Sequence, residues 1–238
     1  MGRYEEEEAV AVVPRPPEFR EDDKIKLLLW CDRHCCLCDK PCGVDIEIAH
    51  LDQQGGNDID NAMPLCYDCH AKTGHYNPDQ PRGTKYKLKE LRARRDQIYE
   101  KYTRSLVPPL DYHILQDVLG GAGLKRTLPN VGFNMAHVGD ALPVRVRVIV
   151  NVFREVEDLG HPVSDLYTGE KLWNLNPRVL ISGHFDLPPR AMTMDGTLEV
   201  RVIVTVIDEY GRAHRLLPFS WVHLFDTNSW FAHVNPRE

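Results

Sequence analysis

Hydrophobic and polar residues alternate with a period of two through most of the second half of the chain. The clearest stretch, PVRVRVIVNVFREV (143–156), turns five valines to one side and its arginines to the other. A strand with this pattern lies with one face on a core and the other in solvent. Shorter alternating stretches follow, separated by turn signals such as DEYGR (208–212). We therefore predict an antiparallel β-sandwich of immunoglobulin-like type over residues 130–238.

The first half of the chain has a mixed pattern. The stretch EDDKIKLLLW (21–30) carries Ile25, Leu28 and Leu29 at the spacing of a helix. The stretch VDIEIAHL (44–51) alternates as a strand does, and YKLKELRARRDQIYEKYTR (86–104) has the pattern of an amphipathic helix. Together with the β-rich second half, these elements predict the α+β fold class.

Shifts in composition divide the chain into four segments. Residues 1–19 are acidic and then proline-rich, which predicts a flexible lead-in. Residues 20–105 hold the mixed domain. A Pro-Pro pair and the glycine-rich LGGAGLKR predict a linker over 106–129, before the β domain at 130–238.

The composition points to a globular protein in a reducing compartment. The chain is 42% hydrophobic and 27% charged, which is usual for such proteins. No apolar run approaches the roughly 20 residues that cross a bilayer, and the acidic N-terminus lacks the apolar core of a secretory signal. All seven cysteines lie between Cys31 and Cys69. We predict a cytoplasmic protein with no membrane partner, in which the cysteines bind metal instead of forming disulfides.

Two Cys-x2-Cys pairs stand out among these cysteines. Cys35 and Cys38 form the first pair and Cys66 and Cys69 the second. Four thiolates from two such knuckles bind Zn²⁺ tetrahedrally, and a site closed by four sulfurs is structural. Two alternatives stay open: Cys36 or Cys42 replaces a member of the first pair, or the thiols are only buried.

The residues around the cysteine pairs resemble the HNH endonuclease family, in its subtype with four zinc-binding cysteines. The resemblance is carried by CCLC, IEIAHL, GGNDIDNAMPLCYDCHAKTGHYN and PRGTKYKLKELRARRDQIYE, and it covers about a third of the chain. His50, Asn61 and His70 stand at the positions of the three letters. The resemblance implies the ββα-metal fold, two strands and a helix around one divalent ion, and the hydrolysis of DNA.

The resemblance also implies a role for each of the three residues. His50 is expected to deprotonate the attacking water, because a neutral imidazole titrates near physiological pH. Asn61 is expected to orient His50 through the loop backbone, and His70 to bind the catalytic ion, Mg²⁺ or Mn²⁺. Each residue alone also has a structural explanation: a packed histidine, a helix N-cap and a substitute zinc ligand, respectively.

Ala49 departs from the family pattern, in which Asp or His precedes the base histidine and binds the catalytic ion. Alanine cannot coordinate a metal. Three explanations are open. The chain belongs to an active branch in which water, Asp52 or His75 completes the shell; it is a naturally inactive binding module; or the alanine is an engineered substitution that disarms the enzyme.

The charge of the chain is unevenly distributed, although its net value is −6. Residues 82–104 hold nine basic and three acidic residues, a local charge of +6, whereas residues 106–238 hold 12 and 15, a local charge of −3. A basic segment beside a nuclease-like motif predicts contacts with DNA phosphates. The predicted contacts are Arg82, Lys85, Lys87, Arg94 and Arg95.

These observations predict a zinc-stabilised, metal-dependent HNH endonuclease that acts on DNA. This copy is inactive if no other group supplies the metal ligand that Ala49 lacks. The β domain is expected to bind an activating protein partner or to form a homo-oligomer. A nuclease joined to such a module suits bacterial defence against phage or mobile DNA, an expectation from architecture alone. The alternative is a non-catalytic zinc-knuckle adaptor that binds nucleic acid or protein without cutting.

Overall fold

The first unit of the structure is organised around an antiparallel hairpin that leads directly into a helix. This computed structural model describes residues 18–52, 55–74, 86–117, 130–140, 142–192, 196–227 and 229–233. The elements of the first unit are α1 (Glu21–Trp30), β1 (Ile46–His50), β2 (Ala62–Cys66), α2 (Tyr67–Gly74) and α3 (Leu88–Thr103). His50 pairs with Ala62 and Ile46 with Cys66, and α2 starts at the residue after β2. The end of β1 and the start of α2 therefore lie at opposite ends of one short hairpin.

Helices α1 and α3 contribute to the core of this unit. Leu91, Ile98 and Tyr99 of α3 are buried. On α1, Leu27 and the following Cys31 are fully buried, one helical turn apart. The helix predicted for this stretch is confirmed, although Ile25 and Leu29, two of the residues whose spacing indicated it, are 50% and 41% exposed. The helix is only ten residues long, so a single stripe is enough to attach it to the core.

Twelve strands are present in the described residues, and ten of them belong to the second unit. They are β3 (Leu110–Asp117), β4 (Asn130–His137), β5 (Val144–Arg154), β6 (Glu157–Gly160), β7 (Thr168–Leu175), β8 (Leu180–Phe185), β9 (Thr197–Ile207), β10 (Ala213–Arg215), β11 (Phe219–Leu224) and β12 (Ser229–His233). One sheet has the order β12-β11-β9-β5-β6, with β7 also on β5 and β10 also on β9, and the other has the order β3-β4-β8. Each pairing between these strands is antiparallel.

The two sheets share one hydrophobic core. The valines of β5 alternate between 0–3% exposure and the more open residues between them, as the period-two pattern predicts. Phe133, Met135 and Phe185 of the smaller sheet belong to the same buried cluster. The chain is thus mixed α and β with mostly antiparallel sheets. The immunoglobulin-like type remains a prediction.

The boundary between the two units falls between Tyr102 and Thr103, close to the predicted end of the first domain at residue 105. The prediction of a linker over 106–129 is wrong for part of that segment, since β3 covers Leu110–Asp117 and pairs with β4. The prolines and glycines on either side of this strand are typical of a linker, so the sequence pattern did not indicate a strand there. In the part of the chain that the structure describes, no helix combines the length and the apolar character needed to cross a bilayer.

Candidate functional site

Four cysteine sulfurs converge at one end of the hairpin. The Sγ atoms of Cys35, Cys38, Cys66 and Cys69 all lie within 4.8 Å of one another, and the Sγ atoms of Cys38 and Cys66 are 3.9 Å apart. A tetrahedral zinc site with Zn–S bonds of about 2.3 Å has sulfur–sulfur distances of roughly 3.8 Å. The four residues that the spacing predicted are therefore placed to bind a metal ion, and their geometry fits a structural zinc.

The first pair of ligands sits on a tight turn. The N–H of Cys35 donates to the carbonyl of Lys40 at 2.9 Å, and the N–H of Asp39 donates to the carbonyl of Cys35 at 2.8 Å. Asp39 has a φ of 63°, a left-handed conformation that aspartate tolerates better than most residues. The N–H of Cys36 donates to the carbonyl of Pro64 in β2 at 2.9 Å. The turn is thus fixed to the hairpin next to the second pair.

The other three cysteines do not belong to this cluster. Cys31 and Cys36 are both fully buried in the hydrophobic core. The Cys42 thiol donates to the carbonyl of Lys40 at 3.2 Å. The alternative in which Cys36 or Cys42 replaces Cys35 or Cys38 is therefore not the arrangement that the structure has.

The protonation of the cluster is set by its surroundings. Burial raises the pKa of the Cys69 thiol, and the nearby sulfurs of Cys66 and Cys38 raise it further. Burial also opposes ionisation of Cys35, but backbone N–H groups, two of them at Cys38 and Cys66, lower its pKa. A divalent cation at the centre favours the thiolate form of every ligand. The cluster is therefore a set of groups that ionise together when metal binds.

Asn61 organises the loop between the two strands. Its Nδ2 donates to the carbonyls of Asp52 at 2.9 Å and Gly56 at 2.8 Å, and its Oδ1 accepts from the N–H of Asp52 at 2.9 Å. Its own carbonyl accepts from the N–H of Leu51 at 2.8 Å. The side chain is 4% exposed. Asn61 thus fixes the backbone that immediately follows His50.

His50 is the last residue of β1, and contacts with Phe19 and Asn57 orient its ring. The ring stacks on Phe19, with centroids 4.2 Å apart. The Nε2 atom lies 2.9 Å from Oδ1 of Asn57, whose Nδ2 donates to the carbonyl of Glu18 at 3.2 Å. Because Oδ1 can only accept, Nε2 is the donor in this hydrogen bond.

Glu47 is the residue near the predicted site that sequence reasoning missed. Its Oε2 contacts Nδ1 of His70 on α2. The side chains of His70 and Glu47 are 36% and 45% exposed, so solvent reaches the pair. Strand alternation puts Glu47 on the same face of β1 as Ala49. The signal available in the sequence was a carboxylate on that face, two residues before the position where a ligand was expected.

Ala49 is 6% exposed and belongs to the buried cluster of the first unit. A longer side chain at this position has to displace its neighbours. Of the two substitutes suggested for the missing ligand, Asp52 is exposed on the loop that Asn61 fixes, and His75 lies outside the described residues.

The five predicted DNA contacts differ in their surroundings. Lys87 is exposed. Arg94 is half-buried, and its Nε donates to the carbonyl of Leu37 at 3.2 Å. Arg95 is only 7% exposed, and its Nη1 donates to the carbonyls of Asp60 at 2.7 Å and Ala62 at 3.1 Å. The prediction of a phosphate contact is wrong for Arg95, because its guanidinium holds the loop to α3. Arg82 and Lys85 lie outside the described residues.

Comparison with known proteins gives no further assignment: no protein-family model matches the chain, and no curated protein matches it.

Proposed function

We propose that the first unit is a zinc-stabilised, metal-dependent endonuclease of HNH type that hydrolyses DNA phosphodiester bonds. The observation that carries this proposal is the order of parts along one hairpin: His50 ends β1, Asn61 fixes the loop, and His70 is the residue after the last cysteine of the metal cluster. A structural ion at Cys69 fixes the first turn of α2, and with it the backbone of His70.

His50 is the proposed general base. Its Nδ1 accepts a proton from the attacking water, and the positive charge that develops on the ring is compatible with the Nε2 hydrogen bond to Asn57. Phe19 and Asn57 hold the ring in one orientation, which favours attack along a single line. Hydrolysis then leaves a 5′-phosphate and a 3′-hydroxyl.

His70 is the proposed protein ligand of the divalent ion. The ion, when bound, neutralises the scissile phosphate and the departing 3′ oxygen. Mg²⁺ retains several waters in such sites, and Mn²⁺ accepts imidazole more readily. The solvent exposure of His70 fits an ion that keeps part of its hydration shell.

Ala49 bears on whether this copy is active. Ala49 is packed in the buried cluster and cannot bind an ion, so an active copy takes this ligand from another residue or from water, whereas a copy without such a substitute is disarmed. The basic residues before and within α3 then contact DNA phosphates. The β unit contributes substrate selection by binding an activating partner or a second copy of the chain. A role in defence against phage or mobile DNA is the corresponding biological proposal.

A plasmid-nicking assay tests the proposal. We expect the zinc-loaded chain to convert supercoiled DNA into the open circle with Mn²⁺ or Mg²⁺, and to stop in EDTA. His50→Ala abolishes nicking, whereas Glu209→Gln, an exposed change in the β unit, retains it. Ala49→His is assayed in parallel. Cutting only by Ala49→His identifies the alanine as disarming, and equal cutting by His50→Ala contradicts the assignment of the base.

The second candidate is a non-catalytic adaptor that binds nucleic acid or protein through the same fold. The absence of a coordinating side chain at Ala49 favours it, as does the structural engagement of His50 with Phe19 and Asn57. An adaptor binds DNA or a protein with the same affinity in EDTA, provided that the zinc remains bound, and shows no cleavage with any divalent ion.

A further inference from the structure

We propose that Glu47 supplies the oxygen ligand that Ala49 lacks, and that Glu47 and His70 bind the same divalent ion. This inference rests on the proposed function only for its biological meaning, since the binding of an ion can be measured without DNA. It assigns a metal-binding role to a residue outside the three positions that give the HNH motif its name.

The first argument is proximity. The Glu47 carboxylate and the His70 imidazole are in direct contact through Oε2 and Nδ1. Glu47 belongs to β1 and His70 to α2, and the two residues are 23 positions apart in the chain. An ion bound by both groups replaces this hydrogen bond, with the two atoms moving apart to coordinate it, and both donor types are ordinary ligands of Mn²⁺ and related ions.

The second argument is the position of Glu47 relative to the missing ligand. Glu47 and Ala49 are separated by one residue of β1, so both point to the same face of the hairpin. Ala49 is buried on that face and Glu47 is exposed. The glutamate side chain is two carbons longer than that of alanine and ends in a carboxylate, and its position on β1 is exposed. It can therefore reach an ion at His70 without opening the core.

The third argument is chemical. Mg²⁺ prefers oxygen ligands and is usually held by one or two carboxylates together with waters and phosphate. A histidine alone is a poor ligand for it. The side-chain exposures of 36% for His70 and 45% for Glu47 leave room for waters and a phosphate oxygen. The pair thus meets the minimum that a hydrated divalent ion requires.

The fourth argument concerns rigidity. His70 follows Cys69 directly, and Glu47 pairs with Leu65, which precedes Cys66. His70 is therefore the direct chain neighbour of one cluster cysteine, and Glu47 lies across the hairpin from the neighbour of another. A site fixed in this way loses little conformational entropy when the second ion binds.

The test is Mn²⁺ binding to the full zinc-loaded chain, followed by electron paramagnetic resonance and by calorimetry. We expect Glu47→Gln to weaken Mn²⁺ binding by at least about tenfold, and His70→Ala to weaken it similarly and to remove the nitrogen coupling of the imidazole from the pulsed spectrum. Asp45→Asn, which removes the same charge from a nearby exposed position, leaves the affinity within about twofold. Zinc content and the circular dichroism spectrum confirm that each variant folds.

The Glu47→Gln variant distinguishes two roles for Glu47: a ligand of the ion, or a residue that only orients His70. Its amide oxygen can still accept a hydrogen bond from Nδ1, but a neutral amide is a weak ligand for Mn²⁺. If Glu47→Gln binds Mn²⁺ as the parent does, Glu47 is not a ligand, even if Glu47→Ala weakens binding. An absence of Mn²⁺ binding by the parent also overturns the inference. Binding that depends on Glu47 without any DNA cleavage retains the inference and rejects the nuclease.

Discussion

Asn61 and Asp52 are joined by two reciprocal hydrogen bonds between one side chain and one backbone unit: Nδ2 donates to the Asp52 carbonyl and Oδ1 accepts from the Asp52 N–H, both at 2.9 Å. Asn61→Ala removes these two hydrogen bonds and the third one, from Nδ2 to the Gly56 carbonyl. At about 1 kcal/mol for each hydrogen bond, we expect a loss of roughly 3 kcal/mol in the free energy of unfolding.

Urea unfolding measures this loss, and hydrogen exchange of residues 51–61 locates it. Asn61→Asp serves as the control, since it keeps the acceptor for the Asp52 N–H and loses both donor interactions. It should fall between the parent and Asn61→Ala, or below both if the new charge meets the two carbonyls. Unchanged exchange in the loop of Asn61→Ala would contradict the role given to this side chain.

Gly55 is required because the Asn61 amide passes close to it. A Cβ atom on Gly55 would lie 2.5 Å from Nδ2 of Asn61 and 3.2 Å from the Asp52 carbonyl oxygen. We expect Gly55→Ala to lower the free energy of unfolding by about 1–3 kcal/mol, the usual cost of overpacking. Thermal unfolding of the purified chain gives the comparison.

The adjacent Gly56 offers a matched control. A Cβ there would meet the Asp58 carboxylate at 3.4 Å, an ordinary contact, so Gly56→Ala should change stability by about 0.5 kcal/mol or less. Equal effects of the two substitutions would show that the loop lacks the close approach between Gly55 and Asn61.

One zinc ion per chain is expected, held by the four-cysteine cluster. Cys69→Ser removes a ligand, and we expect it to lose the zinc and the cooperative unfolding of the first unit, because metal binding in such sites contributes to folding directly. Cys42→Ser should retain one zinc, since its thiol donates to the Lys40 carbonyl outside the cluster. Elemental analysis of the purified proteins decides, and loss of zinc from both variants would mean that Cys42 is a ligand.

Arg95 and Arg92 lie on the same helix and should respond in opposite ways. Arg95→Gln removes the hydrogen bonds to the carbonyls of Asp60 and Ala62, the second of which is buried, and we expect a loss of about 3 kcal/mol in stability. Arg92 is exposed. Arg92→Gln should leave stability within about 0.5 kcal/mol and, if it contacts phosphate, reduce the slope of log affinity for DNA against log salt by about 0.9.

Fluorescence anisotropy with a labelled duplex at several salt concentrations measures the DNA term, and urea unfolding measures the stability term. A DNA affinity of Arg92→Gln equal to that of the parent at every salt concentration would remove the start of α3 from the proposed interface.

The sequence predicts the β unit and the cysteine cluster well because both depend on local pattern. Five valines at every second position of β5 define a buried face without any knowledge of neighbours, and two Cys-x2-Cys pairs define a ligand set. The strand at Leu110–Asp117 was missed because prolines and glycines on either side suggest a linker. Its pairing with β4 comes from tertiary structure.

The parts of the site that sequence reasoning missed depend on contacts between distant residues. Glu47 looks like any solvent-facing position of a strand until α2 brings His70 against it. Arg95 looks like its basic neighbours until its burial against Asp60 and Ala62 is seen. In both cases the sequence shows the charge of the side chain but not its partner. The partner lies 23 to 35 positions away and determines whether the side chain has a structural or a site role.

A metal ion bound by the cysteine cluster closes a loop of 27 residues, from position 39 to position 65, that includes β1 and all of β2 except its last residue. A cross-link around a loop of that length removes much of the conformational freedom of the unfolded chain. In a secreted domain a disulfide has this effect, and only a change of redox state reverses it. A zinc ion bound by the four thiolates would instead be in equilibrium with free zinc and protons, so the fraction of chains cross-linked in this way would follow the free zinc concentration. Zinc limitation would therefore withdraw the hairpin's function before any change in the amount of protein.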